Sequence, residues 1–563
     1  MTRKWGRDAY MKPFFRLSFL RFAILLLLPF ALNSCGNSYS APPTPTTYTI
    51  GGMLTNLSGA GNSVVLQDNA GNNLSVTANG SFMFTTAVAS GGAYAVTVFT
   101  QPSSPAQTCA VVNGSGMASA NITNVAVNCG HNEWAWMSGS STPNAVGVYG
   151  ALGVAAATNV PGIRNFGPVS WTDTSGNLWL FGGNGFDSIG ATTGDLNDLW
   201  KYNITSGQWT WVSGASVINQ TGVYGTQNTP AAGNVPGARD SAVSWIDSTG
   251  NLWLFGGEGY DSTGAFGYLN DLWEFSVSST EWTWKGGTNI ANQNGVYGTL
   301  NAAAAGNIPG ARGFSTVQNI SGEVWLFGGF GNDSAGTQDN LNDLWEYTIS
   351  SGEWTWMGGS NLVDEVTVYG AKGTAAPGNI PGARYSPATW TDTMGNFWLF
   401  GGANLEVNGT TIDSFNDLWE FSTVSKEWTW MNGSNLLNQK GTYGTLGTPA
   451  SGSTPGGRSD LFSWTDPSGN FWLFGGFGYD STVTQVELND LWEYTASNNE
   501  WTWKSGANVG NQNATLGTMG QLAPGNIPAN REGGASWTDA SGDLWLFGGS
   551  GTNAYNDLWM YFP

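Results

Sequence analysis

Charge is scarce in this chain, and positive charge scarcest. Only 10% of its 563 residues are ionised at neutral pH, with 18 basic against 39 acidic and a formal net charge of −21. Six of the 18 basic residues fall in the first 21 positions, so from Gly36 onward 12 basic residues face 38 acidic ones. A surface so poor in cations repels nucleic acid and anionic lipid, so neither is an expected partner. Histidine is almost missing: the only one, His131, precedes the repeats described below, which leaves a Ser-His-Asp triad without its base. Of 3 cysteines, Cys109 and Cys129 stand 20 residues apart and make no metal site; in an oxidising compartment they read as a disulfide. Long apolar runs are also lacking. The one candidate, Phe22 to Leu32, has 11 residues, too few to span a bilayer. Helix formers are few and glycines number 82, so the composition points to an all-β protein.

What is present falls into regions of different grammar. Arg3, Lys4, Arg7, Lys12, Arg16 and Arg21 precede the apolar run, which ends in "LNSCG". That order is an export signal over residues 1–35. Its end resembles the lipobox of bacterial lipoproteins, with Cys35 as the lipid-bearing residue. The resemblance implies a bacterial cell-envelope protein, anchored at the outer membrane or cell surface and touching the membrane only through its lipid; ordinary secretion is the alternative. Residues 36–46, rich in Pro, Ser and Thr, read as a flexible tether.

Residues 47–130 contain no Trp, Lys or Arg and carry seven short alternating runs, from "YTIGGML" to "ITNVAVNC". Gly, Asn and Ser turns between them predict a small β-sandwich. The pattern resembles the immunoglobulin-like or transthyretin-like modules that bacterial surface proteins use as spacers.

Residues 131–563 are a long repeat. "LWLFGG" or a close variant recurs with its Phe at 181, 255, 327, 400, 474 and 547. Each copy runs through "PGAR", "SWTD", "LWLFGG", a loop, "LNDLWEY" and "WTW", with strand periodicity in each run. Four strands in each of six units fit a β-propeller. The double glycine, then an aromatic such as Tyr202 or Phe275, then a Trp seven residues later, resembles the kelch repeat. The last copy reaches "NDLWMYFP" without a "WTW" run, whereas "NEWAWMSG" at 132–139 is such a run with nothing before it. The expectation is a six-bladed kelch-like propeller closed by its N-terminal strand.

Within this frame most conspicuous residues have a structural reading. Of the 30 Trp, 29 occupy five script positions in six copies; Gln318 fills the missing place, and Trp5 lies in the signal. Packing between blades explains them better than a carbohydrate-binding surface. Arg164, Arg239, Arg312, Arg384, Arg458 and Arg531 each close a "PGAR"-like turn; an anion site is conceivable, but a pair with the Asp of "LNDLW", pinning a neighbouring blade, is preferred. Asp187, Asp261, Asp333 and Asp480 recur in the loop after "FGG". They give Ca²⁺ a thin ligand set, so loop capping is preferred and no cofactor is expected. Tyr149, Tyr224, Tyr297, Tyr369 and Tyr443 recur on the connectors, with Leu516 in the sixth; anchoring is preferred to sugar stacking.

Function belongs where the symmetry fails. The connector "NLVDEVTVYG" brings Asp364 and Glu365, and the next "FGG" loop, "ANLEVNGTTIDSFND", brings Glu406 and Asp413. Both fall on the same unit and the same face, which makes these four the candidate ligand-binding residues. The reading is a binding or scaffold protein whose long-loop face meets a protein or a glycan. A hydrolase using a carboxylate pair there, and a purely structural envelope role, stand as alternatives. Kelch-type copper oxidases need two His with a Cys and Tyr, which this chain does not supply.

Overall fold

The computed structural model describes residues 46–563 apart from 56, 58–61, 104–108, 130–131, 406–411 and 524. The expectations for the signal, the tether, Cys35 and Glu406 lie outside the described residues, as does His131. Contacts divide the chain into residues 1–46 and 47–563. The described regular structure is all strand.

Residues 47–128 form ten strands where the sequence reading expects seven, because Thr47–Tyr48, Val88–Ala89 and Ser115–Met117 are too short to leave a periodic signal. Eight of them make two four-stranded sheets. Ile50, Leu54, Val64, Leu66, Phe82 and Val127 fill a single core between them, as alternation along a half-buried strand requires. Ile50–Thr55 and Ile122–Asn128 run parallel. A side chain at Gly52 would collide with the Val125 backbone, so the close approach of these two strands needs glycine there. Cys109 and Cys129 are disulfide-bonded at the edge of this core.

Most of the remaining strands build six antiparallel meanders, called sheets I to VI; Ala403–Leu405 with Ile412–Ser414, and Arg458–Ser459 with Phe477–Tyr479 and Gln485–Glu487, form two small separate sheets. Sheet I takes Val169–Thr172, Leu178–Gly185, Gly194–Asn203 and Gln208–Ser213 in order from inside to outside. Sheets II to V repeat this over residues 239–286, 312–358, 388–432 and 458–505. Sheet VI is Ala535–Thr538, Leu544–Phe547 and Leu558–Phe562, completed by Glu133–Ser138 from the other end of the repeat region. In that seam Trp134 lies opposite Tyr561 and Trp136 opposite Trp559. The innermost strands adjoin in the order I to VI and back to I, an arrangement of the β-propeller kind.

Why "LWLF" is apolar at every position follows from this packing. Leu178 and Leu180 face sheet VI, where they meet Trp545 and Phe547. Trp179 and Phe181 face sheet II, against Leu254 and Trp282. Successive side chains serve opposite neighbours, so neither face of the strand reaches water. Each fully buried Trp removes about 200 Å² from water, an upper bound of about 5 kcal/mol. The innermost Trp also reaches across to the next sheet: the Nε1 of Trp171 donates to the Trp245 and Trp253 carbonyls, and that of Trp537 to the Trp179 carbonyl. Where Gln318 stands instead, its Nε2 donates to the Thr389 carbonyl.

A feature with no sequence signature encircles the axis. Gly167, Ser241, Phe314, Ser386, Asp460 and Gly533, each two or three residues past a "PGAR"-like Arg, all adopt positive φ between 48° and 67°. Each backbone N–H donates to the carbonyl of the corresponding residue in the preceding sheet: Ser241 to Gly167, Phe314 to Ser241, Ser386 to Phe314, Asp460 to Ser386, Gly533 to Asp460, and Gly167 back to Gly533, at 2.7–3.2 Å. Six hydrogen bonds thus close a circle.

Candidate functional site

The arginine of each copy is buried with the aspartate of its own sheet. Arg239 and Asp271 form a two-pronged ion pair at 2.6 and 2.7 Å, and sheets III to VI repeat it with Arg312, Arg384, Arg458 and Arg531 on Asp343, Asp417, Asp490 and Asp557. Arg164 reaches Asp198 through Nη2 only, because its Nη1 donates to the Gly162 and Ile163 carbonyls. These side chains therefore do not pin a neighbouring sheet. The backbone of the same residues does: the second glycine of "FGG" donates its N–H to the Arg carbonyl of the next sheet, as Gly329 to Arg384, Gly402 to Arg458, Gly476 to Arg531 and Gly549 to Arg164. Positive φ at that glycine aims the N–H across the gap. With every guanidinium buried and paired, no anion site is left on the mouth from these six.

The same carboxylate anchors the long connector. Tyr149, Tyr224, Tyr297, Tyr369 and Tyr443 donate their hydroxyls to Asp198, Asp271, Asp343, Asp417 and Asp490 at 2.5–2.9 Å. The Trp two residues after each Asp adds its Nε1. Burial first, and then the adjacent carboxylate, push the Tyr224 phenol far up, so it stays a donor at any physiological pH. Loop aspartates act as caps: Asp187, Asp261, Asp333 and Asp480 each accept backbone N–H groups from two to four residues on. Those bonds outweigh burial and hold the Asp261 and Asp480 carboxyls below the usual range. Among the described residues no group of three or more His, Cys, Asp or Glu is arranged to hold a metal ion.

Sheet IV departs from this script. Asp364, Glu365 and Asp413 line one open cavity of about 760 Å³ with Tyr369, Asn404 and Phe415. The substitutions that open it can be followed from the repeat. Glu365 stands where other connectors carry Gln220, Gln293, Gln439 or Gln512, each of which closes a local loop by donating to the carbonyl two residues back. A carboxylate cannot donate; Glu365 instead accepts from the Ser360 hydroxyl at 3.2 Å. Thr367 stands where Gly222, Gly295 and Gly441 occur, positions at which a side chain would strike the following tyrosine ring. Tyr369 is re-seated accordingly. It lies nearly parallel to Trp419, at 27°, whereas the four equivalent pairs meet at 46° to 53°. Its hydrogen bond is also longer, 2.9 Å against 2.5–2.6 Å.

The cavity is acidic and polar at its edge. Burial, reinforced by Asp339, pushes the Asp364 carboxyl up. Asp413 is held by the Asn438 amide at 2.7 Å, and Asn404 donates to the Ala383 carbonyl. Val366 at its rim is 77% exposed, which gives a partner an apolar contact beside the carboxylates. Among the described residues no Lys or Arg lines the cavity. Such a site accepts hydrogen-bond donors and positive charge.

An all-strand ring of repeated meanders with a loop-built site belongs to the β-propeller class, in which binding surfaces are carried by loops on a rigid frame. Residues 220–435 match the family model of the KLHDC2/KLHL20/DRC7 Kelch-repeats domain. The chain is also 25% identical over 284 residues to a Kelch repeat-containing protein of Arthroderma benhamiae, an alignment covering 46% of this chain and 38% of that protein. The chain thus spans well under half the length of the curated relative it matches. The family match takes in sheets II and III and sheet IV, and so contains Asp364, Glu365 and Asp413.

Proposed function

We propose that the chain is a recognition protein of the cell envelope: a signal over residues 1–35 with lipid on Cys35, a tether over 36–46, an immunoglobulin-like stalk over 47–130, and a six-bladed kelch-like propeller over 131–563. Its long-loop face binds a protein partner at the cavity formed by Asp364, Glu365 and Asp413. The observation that carries this reading is the cavity itself. A cavity opens where Gln, Gly and Asn of the connector script give way to Glu365, Thr367 and Asp364. Kelch repeats generally mediate protein binding. The Cys109–Cys129 disulfide supports an oxidising, exported location.

The partner surface is basic or rich in N–H donors, since three carboxylates and, among the described residues, no cation face it. The test is a display screen of peptides and envelope proteins, with a glycan array in parallel, using the double variant Asp364→Asn/Asp413→Asn, which removes the charges and keeps a residue tolerated at the positive φ of position 364. Loss of at least tenfold in affinity for a protein ligand is expected, with the melting temperature unchanged. Hits confined to the glycan array, or full binding by the double variant, contradict the proposal.

A further inference from the structure

The axis of the ring carries a second cavity, independent of the one above. Outside the circle of six hydrogen bonds it measures about 440 Å³. Its walls are aromatic: Phe166, Tyr268, Phe314, Phe330, Tyr385 and Phe477. Phe166 and Phe314 belong to sheets I and III, which are not neighbours, yet their ring centroids lie 5.7 Å apart because both lean over the axis. Tyr385 stands edge-on to Phe314 at 6.0 Å, and Tyr268 lies 5.6 Å from Phe330.

Two carboxylates, Asp460 and Glu532, share this aromatic box. Asp460 accepts from the Ser459 hydroxyl at 2.9 Å. Among the described residues no hydrogen-bond donor and no cation reaches the Glu532 carboxylate, and no Lys or Arg lines the cavity. The guanidinium of the preceding residue, Arg531, is bound to Asp557. Burial, then Asp460, then Glu487 push the Glu532 carboxyl up to about 8. Burial likewise pushes Asp460 up to about 6. Two acids in an apolar box without a counter-charge are stabilised by a ligand that brings one.

The walls decide what kind of cation fits. Calcium takes six to eight oxygen ligands, whereas the box presents ring faces and two carboxylates. Ring faces attract alkylammonium groups, whose charge is spread over methyl or methylene surface. We propose that the axial mouth is a binding site for an alkylammonium group, carried either by a free amine such as choline or by a lysine or methylated lysine side chain. The cation seats between Phe166, Phe314 and Tyr385 and takes its counter-charge from Glu532 and Asp460. Binding drives proton release, because a cation favours the ionised form of both acids.

Isothermal titration of the full-length protein tests this with choline, with its uncharged isostere 3,3-dimethylbutanol, and with short glycine-flanked peptides carrying trimethyl-lysine, lysine or norleucine. Millimolar or tighter binding is expected for choline or a cationic peptide and none for the two neutral probes. The arm that binds more tightly names the source of the cation. Affinity should rise several-fold from pH 6 to pH 9 as Glu532 and Asp460 ionise; Tyr268 and Tyr385 also line the box, with Glu487 acting on Glu532 and with Glu258 and Asp240 acting on Tyr268. Glu532→Gln keeps the shape and should weaken binding at least tenfold, and Phe314→Leu should do the same with the acids intact. Equal binding of the neutral isostere, full affinity in Glu532→Gln, or no binding by any cationic probe overturns the proposal.

Discussion

A repeated sequence makes single residues informative by comparison with their own copies. In four sheets the turn aspartate accepts from the side-chain amide of an asparagine four residues on: Asn177, Asn251, Asn396 and Asn470. In sheet VI that position is Asp543, whose Oδ1 has no partner. Burial, then Asp539, push its carboxyl up to about 8. The folded protein therefore holds a proton that the unfolded chain releases near pH 4. Its contribution is intact below that range, and stability falls as pH rises from about 4 to 8. Asp543→Asn replaces the proton with a permanent donor to Asp539. It should raise stability by about 1–3 kcal/mol at pH 9 and change little at pH 4, as read by urea denaturation. An equal gain at both pH values would contradict the assignment.

At the scale of elements, length decides what the sequence reveals. The "LWLFGG", "LNDLW" and "WTW" strands run four to eleven residues and announce themselves through apolar runs and aromatic spacing. Strands of two or three residues, such as Arg239–Asp240 and Arg312–Gly313, carry no period and were invisible, although they pair with the outer ends of the second strands. The positive-φ circle escaped for a different reason: its six positions hold two Gly, two Ser, a Phe and an Asp, so no residue type marks the backbone state. The acidic rim cavity was legible because it consists of departures from a script. The axial box was not, since its aromatics come from five sheets and from four different script positions. In residues 47–129 the disulfide adds a covalent link to a small core. Removing it by Cys109→Ala/Cys129→Ala should cost the module about 3 kcal/mol for a loop of this length. Proteolysis should then cut within 47–128 while the ring stays intact; simultaneous loss of the ring would show that module and ring unfold as one.

For the whole molecule, stability and function both rest on closure. Six sheets packed face to face leave two exposed faces unless the last meets the first. Here the joint is made by non-covalent pairing of Glu133–Ser138 with Leu558–Phe562, backed by Trp134 against Phe474, Trp559 and Tyr561. The circle of hydrogen bonds closes where sheet I meets sheet VI, from Gly167 to Gly533, so the axial mouth also depends on the last sheet meeting the first. The N–H of Asn132 already lies 2.8 Å from the Phe562 carbonyl, close enough for a two-residue turn to link the ends.

That proximity allows one decisive comparison of denaturation midpoints among three chains: residues 132–563; residues 139–563; and residues 139–563 followed by an Asn-Gly turn and a transplanted copy of 132–138. A closed ring requires the first and third to unfold alike, and the second to lose more than about 4 kcal/mol through its missing tryptophans and open edge. If the shortened chain is as stable as the other two, the ring is not held by its seam.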